Sequence, residues 1–453
     1  MTSSSSLRRG LIAVALIAAG AAGAGAGARA SYGARVTGDE PQYLLTAISL
    51  AEDRDLDVSD EIAARRYEPF SEVGLDPQSR RLEGGRMISP HDPLLPLLLV
   101  PGMAAFGWLG AKLTLALLAG ALAAGILWLS VVRFGAALLP ASVVVGGFGA
   151  SAPCAVYGTQ VYPELPAALA TVGAVAAGTA AGGGRRVVLA CASLTVLPWL
   201  SIKYVPVAAA LAALIAWSWW RAGDRRATRW LVALLAVSGA AFVAAHWAWY
   251  GGWTPYGVGD HFVTGEFGVV GFSPDFAGRS RRLIGLLVDR EFGLAAWQPA
   301  WLLAVPAVAA LVARGPRGRS FLLVPLAAGW LNATFVALTM HGWWWPGRQV
   351  VVVLPLAVVA IALWAGRSRH RLTLAAVLGL AGVVTLAYLV AEALAGRLAV
   401  VVDFFDTANP LYRAWAHVLP DYRHVTGATW ALHGAWVAAV AACSWWWGRR
   451  PAT

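Results

Sequence analysis

Charge is scarce in this chain. Only 13% of its 453 residues are charged and mean hydropathy is +0.63, where a soluble domain carries roughly a quarter charged residues. That shortage excludes an ordinary water-soluble domain. Lysine is nearly absent: Lys112 and Lys203 are the only two among 35 basic residues, the rest being arginine. The formal net charge of +11 does not mark a nucleic-acid binder, because the arginines gather in short clusters between apolar runs, as they do in loops retained on an anionic cytoplasmic leaflet. Cysteine is equally sparse. Cys154, Cys191 and Cys443 fall within or beside apolar runs without metal-ligand spacing, so they read as small apolar residues and no disulfide framework is expected. A P-loop, a nucleotide fingerprint, a nucleophile elbow and a zinc motif are all missing, so none of those sites is indicated.

Long apolar sequence is what the chain has instead. Many runs exceed about 18 residues with no ionised group, the mark of membrane-crossing helices; a β-barrel would alternate over ~10-residue segments. The expected fold class is an all-α polytopic membrane protein, one integral domain over residues 1–453. Residues 8–30 form the first helix, read as uncleaved with its N-terminus in the cytoplasm, although Ala28-Arg29-Ala30 resembles a signal-peptide cleavage site. Arg133, Arg185-Arg186, Arg221 to Arg229, Arg314 to Arg319, Arg367 to Arg371 and Arg449-Arg450 are assigned to the cytoplasmic side. Crossings then fit at 113–132, 136–153, 164–182, 187–201, 204–220, 229–250, 292–313, 320–341, 349–366, 372–395 and 429–447, giving about 12 transmembrane helices in all. The outer segments are a large first loop, 31–112, and the loops 251–291 and 396–428. Residues 93–109 break the parity of this arrangement and carry Pro93, Pro96 and Pro101, so they are expected to be re-entrant or interfacial. Leu44 to Leu50 reads as a short helix lying at the interface. Tryptophans bordering the loops, such as Trp247, Trp253 and Trp343, read as interfacial anchors.

Acids concentrate in one place: 13 of the 24 lie between Arg35 and Asp92. Asp39 and Glu40 stand just before Pro41 at the outer end of the first helix, where partial burial can raise a carboxylate into the useful range for a general base. The group Asp55, Asp57, Asp60 and Glu61 lacks the glycine and spacing of a calcium loop and reads as a solvated face. Glu164, between Pro163 and Pro166, opens a long apolar helix at its outer mouth. It is the sole acid between Asp92 and Asp224, either a helix cap or a second carboxylate facing the first. Lys203 and Tyr204 occupy a hairpin between two short crossings, and Arg348 enters a later helix from the outer side. Cations there run against the positive-inside bias, which points to snorkelling or to a phosphate contact. His91 and His341 are single histidines at outer turns.

The order of these features resembles the GT-C superfamily of membrane glycosyltransferases, which includes protein O-mannosyltransferases and lipid A aminoarabinose transferases. The likeness covers roughly residues 8–366: an acidic pair after the first helix, Ser89-Pro90-His91-Asp92-Pro93-Leu94, the proline-flanked Glu164, the lysine hairpin, and Arg348 opening a helix that contains Pro355. It implies a catalytic acid at Asp39 or Glu40, with Asp39 the closer match. His91 and Asp92 stand in a His/Lys-Pro-Pro-Leu element, with aspartate where proline is usual. Glu164 corresponds to a second acid and Lys203 to the hairpin lysine. Arg348 corresponds to the arginine of an Arg-Tyr pair, Gln349 replacing the tyrosine.

The function implied is inverting transfer of a sugar from a polyprenyl-phosphate donor to an envelope polysaccharide, lipid or protein on the non-cytoplasmic face of the cell membrane. His91, Asp92, Glu164, Lys203, Tyr204, His341 and Arg348 would bind substrate. No metal is assigned, although Glu164 could help hold a divalent ion, and nucleic acid is not an expected partner. A transporter or flippase of lipid-linked sugars is the alternative from another class; it predicts helices broken near midplane, whereas the ionisable residues here sit at the outer boundary. A non-catalytic assembly subunit is the third reading.

Overall fold

A computed structural model describes residues 4–75, 77–259 and 274–449, and helices form it throughout, with no strand among the described residues. The expectations placed on Arg450 and on part of the 251–291 loop lie outside the described residues. The principal helices are α1 (Ser4–Ala24), α2 (Glu40–Glu52), α3 (Leu94–Trp128), α4 (Leu138–Gly149), α5 (Glu164–Gly178), α6 (Gly184–Leu200), α7 (Val205–Arg221), α8 (Arg225–Tyr250), α9 (Ala304–Arg314), α10 (Ser320–Leu331), α11 (Leu354–Ala365), α12 (Arg369–Leu394) and α13 (Gly427–Arg449). Among the described residues five stretches are long and apolar enough to cross a bilayer by themselves, namely Ser4–Ala24, Leu94–Arg133, Ile202–Arg221, Arg225–Val258 and Arg369–Leu394. The chain is an all-helical polytopic membrane protein.

The shorter apolar helices owe their length to tight turns that continue them. Residues 347–353 precede α11 in consecutive turns, with Val351 N donating to Gly347 O at 3.1 Å and Leu354 N to Val350 O at 3.1 Å. Helix α11 itself is buried along nearly its whole length, Val358, Val359 and Ile361 included. It is enclosed by other helices, so its all-round apolar sequence meets protein instead of lipid. Peripheral α13 is the opposite case, with Thr429 its one buried residue.

Small residues let α1 approach α3 closely. A Cβ added at Gly120 would lie 2.8 Å from Ala15 O and 3.2 Å from the Ala19 methyl, the close backbone packing that glycine and alanine permit between membrane helices. Helix α3 is two helices in one. Phe106 and Gly107 leave helical geometry, Gly107 at φ 60° and ψ −150°. The chain doubles back there: a Cβ on Gly110 would meet Gly102 O at 2.0 Å. Residues 94–105 therefore do not extend the axis of residues 108–128, and a branched side chain at either glycine would force the two apart.

Helix α2 differs from expectation. All residues from Glu40 to Ser49 are buried, so the helix is enclosed by protein and has no face free to lie in the interface. Its apolar side, Leu44, Leu45 and Ala47, joins the main core, while Thr46 and Ser49 satisfy their hydroxyls on Gln42 O at 2.9 Å and Asp55 O at 3.0 Å. Periodicity over so short a run cannot tell a helix bounded by lipid from one bounded by protein. A second, smaller core of Ile88, Tyr250 and Val258 lies under residues 77–93.

The two ends of the bundle carry different charge chemistry. At one end Arg186 pairs with Asp224, Arg314 donates to Trp447 O at 2.6 Å, and Arg371 lies 4.6 Å from the Trp447 ring. The loops holding Asp39, His91, Glu164, Lys203 and Arg348 gather at the other.

Candidate active site

Arg348 is the hub of this second end. Its Nη2 donates to Asp39 Oδ2 at 2.7 Å and its Nε to Glu164 Oε1 at 3.1 Å, while Lys203 Nζ donates to the same Glu164 oxygen. Four charges from four separate parts of the chain thus form one chain of ion pairs. The guanidinium lies between two rings, 4.1 Å from the centroid of Tyr162 and 4.8 Å from that of Trp344, where its planar face suits stacking. Glu164 is fully buried, and its Oε2 has no hydrogen-bond partner among the described residues. Asp39 and Lys203 stay partly exposed, with side chains 25% and 30% accessible.

Local structure explains how Asp39 gets there. Gly38 has φ +57°, and a Cβ on it would lie 2.6 Å from the Tyr162 hydroxyl, so the turn before α2 requires glycine. Asp39 N then donates to the Tyr162 oxygen at 3.2 Å, and that hydroxyl donates to Thr37 O at 3.3 Å. Burial would raise the Asp39 carboxyl, but Arg348 and His91 outweigh it and hold the group below the usual carboxylate range.

Glu40, the other acid of the pair, has a different environment. It is fully buried, and its oxygens accept Thr37 N at 3.1 Å and Val161 N at 2.7 Å. Burial raises its carboxyl above the usual value, with Lys112 and the two backbone donors opposing that shift. Both oxygens are engaged in fastening the Asp39 turn to residues 160–161. That geometry is a clamp, and no face of Glu40 is open to an acceptor.

His91 belongs to the cluster through Gln78. The His91 ring stacks on Tyr43 at 4.7 Å, its Nε2–H donates to Gln78 Oε1 at 2.9 Å, and Gln78 Nε2 donates to Asp39 Oδ1 at 3.3 Å. Burial pushes His91 down to about 4, with Asp39 opposing and Arg348 assisting, so at neutral pH the ring is uncharged with its proton on Nε2. Asp92 points away from this group, to His246 Nε2 at 2.8 Å. Tyr204 is buried beside Lys203, 5.2 Å from ring centroid to ammonium. His341 lies apart, its Nε2 3.7 Å from Asp289 and its ring edge-on to Phe292.

Gln78, Tyr162 and Trp344 are site residues that the sequence did not single out. A neutral amide in a polar loop and two aromatics near a membrane border carry no signal of their own. Only the close approach of distant segments gives them roles.

Arg348 occupies the position between Asp39 and Glu164 that a divalent ion would need, and the ammonium of Lys203 adds further positive charge, so these residues do not fit a metal. Elsewhere among the described residues two groups bring ligand atoms within 4.8 Å of one another, Asp53 with Asp60 and Glu61, and Glu291 with Asp421 and His424. In the latter, Arg423 already pairs with Glu291 and Arg290 with Asp421.

An apolar groove of about 850 Å³ runs between α9, α10, α11 and α13, lined by residues such as Leu287, Leu294, Val308, Leu326, Leu354 and Val440. Its outer end adjoins the cluster: Leu294 Cδ2 lies 2.7 Å from where a Gly347 Cβ would stand, and Gly347 precedes Arg348. The outer end of α10 opens into a π-turn, Asn332–Val336, whose released carbonyls are taken up by arginines, Arg279 donating to Phe335 O at 2.7 Å and Arg282 to Ala337 O at 2.6 Å.

No protein-family model and no curated protein matches this chain. A solved structure, ArnT from Cupriavidus metallidurans bound to undecaprenyl phosphate, is similar at 16% identity over 98% of this chain and 72% of that one, with a TM-score of 0.48. A likeness at that level fixes neither fold nor activity for this chain.

Proposed function

We propose that the chain is an integral membrane glycosyltransferase that moves a sugar from a polyprenyl-phosphate donor to an acceptor hydroxyl on the non-cytoplasmic face. The observation that carries this reading is the linked set of two acids and two cations, Asp39 paired with Arg348 and Glu164 with both Arg348 and Lys203, next to an apolar groove of about 850 Å³ whose lining residue Leu294 packs against Gly347. The order of these residues along the chain, resembling the GT-C superfamily, supplies the reaction type.

The prenyl chain lies in the groove and its phosphate reaches Lys203 and Arg348. Lys203 has donors to spare beyond Glu164, and the guanidinium has an Nη1 with no partner among the described residues. The acceptor oxygen attacks the anomeric carbon, the bond from that carbon to the phosphate oxygen breaks, and the configuration inverts. The electron pair leaves on the phosphate, where the two cations stabilise it. The acceptor proton goes to Asp39. A carboxylate held low by Arg348 is a weak base. An arriving phosphate competes for that guanidinium, and release from Arg348 lets partial burial raise Asp39 toward the range a base needs. Substrate binding thereby prepares the base. Glu164, fully buried between both cations, keeps them in place when the phosphate is absent.

The test is transfer from a panel of radiolabelled polyprenyl-phosphate monosaccharides in membranes carrying the wild type or Asp39→Asn, with mixed envelope acceptors. Label in an acceptor with wild type alone supports the reading. Label that only moves between leaflets, with the donor intact, would replace it by a lipid-linked-sugar transporter.

A further inference from the structure

A second group of acids lies at the far end of α2 from Asp39. The sequence presents Asp55, Asp57, Asp60 and Glu61 as one solvated face, and the structure divides them. Asp55 Oδ1 accepts the Ser49 hydroxyl and Asp57 N, both at 2.9 Å, while Asp57 Oδ1 accepts Ser59 N at 3.0 Å and Met87 N at 2.9 Å. Those two acids shape the turn between α2 and the short helix Ser59–Ala63. Asp60 and Glu61 instead approach Asp53, the residue that ends α2, and the three carboxylates bring oxygens within 4.8 Å of one another.

Glu61 is the member that needs explaining. It is only 3% exposed, and neither Oε1 nor Oε2 has a hydrogen-bond partner among the described residues. An ionised carboxylate is not buried bare; it requires a cation, a donor or a proton. No side-chain cation answers it. Arg65 is committed to Glu68 at 2.8 Å and Arg66 to Glu52 at 2.5 Å, and among the described residues no ion pair reaches Asp53, Asp60 or Glu61. The group of Glu291, Asp421 and His424 differs on this point, since arginines already sit on both of its acids.

A proton is the competing remedy, because burial and the neighbouring Asp60 push the Glu61 carboxyl up to about 8. It leaves most of the demand unmet. One proton engages one Glu61 oxygen and one neighbour, so the second oxygen stays bare and Asp53 keeps an uncompensated charge beside the others. A divalent ion can take both oxygens of Glu61 together with oxygens of the two aspartates, and it neutralises two of the three charges. The donors are all hard carboxylate oxygens, which select calcium or magnesium over zinc. Calcium fits better: Asp53 and Asp60 are exposed, so water can complete the roughly six to eight oxygens it takes, and it tolerates irregular geometry where magnesium demands an octahedron.

We propose that Asp53, Asp60 and Glu61 form a calcium site that fastens the end of α2 to the helix Ser59–Ala63. Ala64 N donates to Asp60 O at 2.7 Å and Arg66 N to Glu61 O at 2.9 Å, so the backbone under two of the ligands is already set. The 13 residues of α2, at about 1.5 Å each, put the site roughly 20 Å from Asp39. The ion therefore takes no part in chemistry at Arg348, and the site stands whether or not the chain transfers sugar. Its effect is to lock the loop in which α2 lies.

Calcium titration of the full-length protein tests this, in nanodiscs of zwitterionic lipid after stripping with chelator, read by radioactive calcium uptake and by thermal unfolding. Wild type should take up one ion per chain with a Kd on the order of 10⁻⁴–10⁻³ M, and saturating calcium should raise its Tm by roughly 1–4 °C. Glu61→Gln should weaken uptake at least roughly tenfold, whereas Glu68→Gln, an acid of the same loop outside the group, should bind as wild type does. In chelator Glu61→Gln should unfold no lower than wild type, since it removes a bare buried carboxylate; in calcium the order should reverse. A wild type that takes up no calcium well above that Kd range would overturn the proposal. Uptake left unchanged by Glu61→Gln would do so too, as adventitious binding to surface acids, and so would an equal gain in Tm for both proteins. If Glu61→Gln does not fold, the exposed Asp60→Asn carries the same comparison.

Discussion

The two ends of the bundle use arginine in opposite ways. At the end with Arg186, Arg314 and Arg371, guanidinium groups lie on tryptophan faces and backbone carbonyls: Arg186 is 4.5 Å from the Trp219 ring and Arg371 5.4 Å from that of Trp364. Acids are nearly absent there among the described residues, and each of these three arginines has a local partner. At the other end a single arginine joins two carboxylates from distant segments, one of them fully buried, beside a lysine that shares its acid. The first arrangement needs only a membrane surface to make sense, as loops held on one side by positive charge. The second makes sense only if something anionic enters and divides the charges anew. Ion pairing by itself does not mark a site; mutual dependence among buried charges of both signs does.

Breaking that dependence at its chemical centre should have the largest effect. Asp39→Asn keeps an oxygen for Gln78 or Arg348 but removes the base, and turnover should fall roughly 10²- to 10⁴-fold while the folded fraction stays near wild type. Radiolabel transfer normalised to folded protein checks this, and turnover within a few fold of wild type would remove Asp39 from its role. Arg348→Met should lower turnover, by removing a cation that stabilises the leaving phosphate, and stability as well. It leaves Asp39 and Glu164 without their shared cation, and losing one member of a buried charged group costs about 3–5 kcal/mol, to be read from thermal unfolding in detergent.

Glu40 sharpens the comparison between clamp and catalyst. In Glu40→Gln one of the two backbone donors, Thr37 N or Val161 N, must face an amide NH₂ in place of an oxygen. An unpaired buried donor costs about 1–3 kcal/mol. Stability should fall by that amount with turnover per folded molecule within a few fold of wild type. A loss like that of Asp39→Asn would return the catalytic role to Glu40.

These contrasts also show what a sequence can disclose here. Helix positions were legible because each apolar run is bounded by arginine or proline, and the break in α3 was legible from Pro93, Pro96 and Pro101 together with charge parity. Asp39, Glu164, Lys203 and Arg348 stood out individually because each is an ionisable group where apolar sequence meets an outer turn. What stayed hidden was partnership. The bond between Arg348 and Asp39 spans 309 positions, and no local pattern encodes it. His246 was not singled out at all, since its partner Asp92 lies 154 positions away. Neighbouring Asp39 and Glu40 look equivalent in sequence, yet the turn at Gly38 directs one to Arg348 and the other to backbone amides.

His91 supplies a smaller, pH-dependent effect. Its folded-state value of about 4 lies below the ordinary 6.5, so its neutral form is favoured by folding. The sign follows: the contribution is present in full above about 6.5 and is lost as pH falls from there through about 4. Unfolding of His91→Gln, followed between pH 7 and pH 4, should show a shallower loss of stability than wild type, whereas parallel curves would mean that the ring is not buried neutral against Tyr43.

The smallest effect on turnover should come from the opposite end. Arg186→Gln removes a contact to Asp224, whose side chain is 36% exposed, and the stacking on Trp219. An ion pair open to water on its acid side contributes about 0–1 kcal/mol and a desolvated cation on an indole face about 2 kcal/mol, the Arg186 side chain being 8% exposed, so unfolding should shift by no more than about 3 kcal/mol. Turnover should be unchanged, because no ion pair connects this end to Arg348 among the described residues. Adding Arg185→Gln removes positive charge from the same loop, and reporter fusions to that loop would then register any change in which side it faces. A large fall in turnover with the loop still on its original side would show that the two ends are coupled through the bundle, and the division between an end that orients the chain and an end that reacts would have to be abandoned.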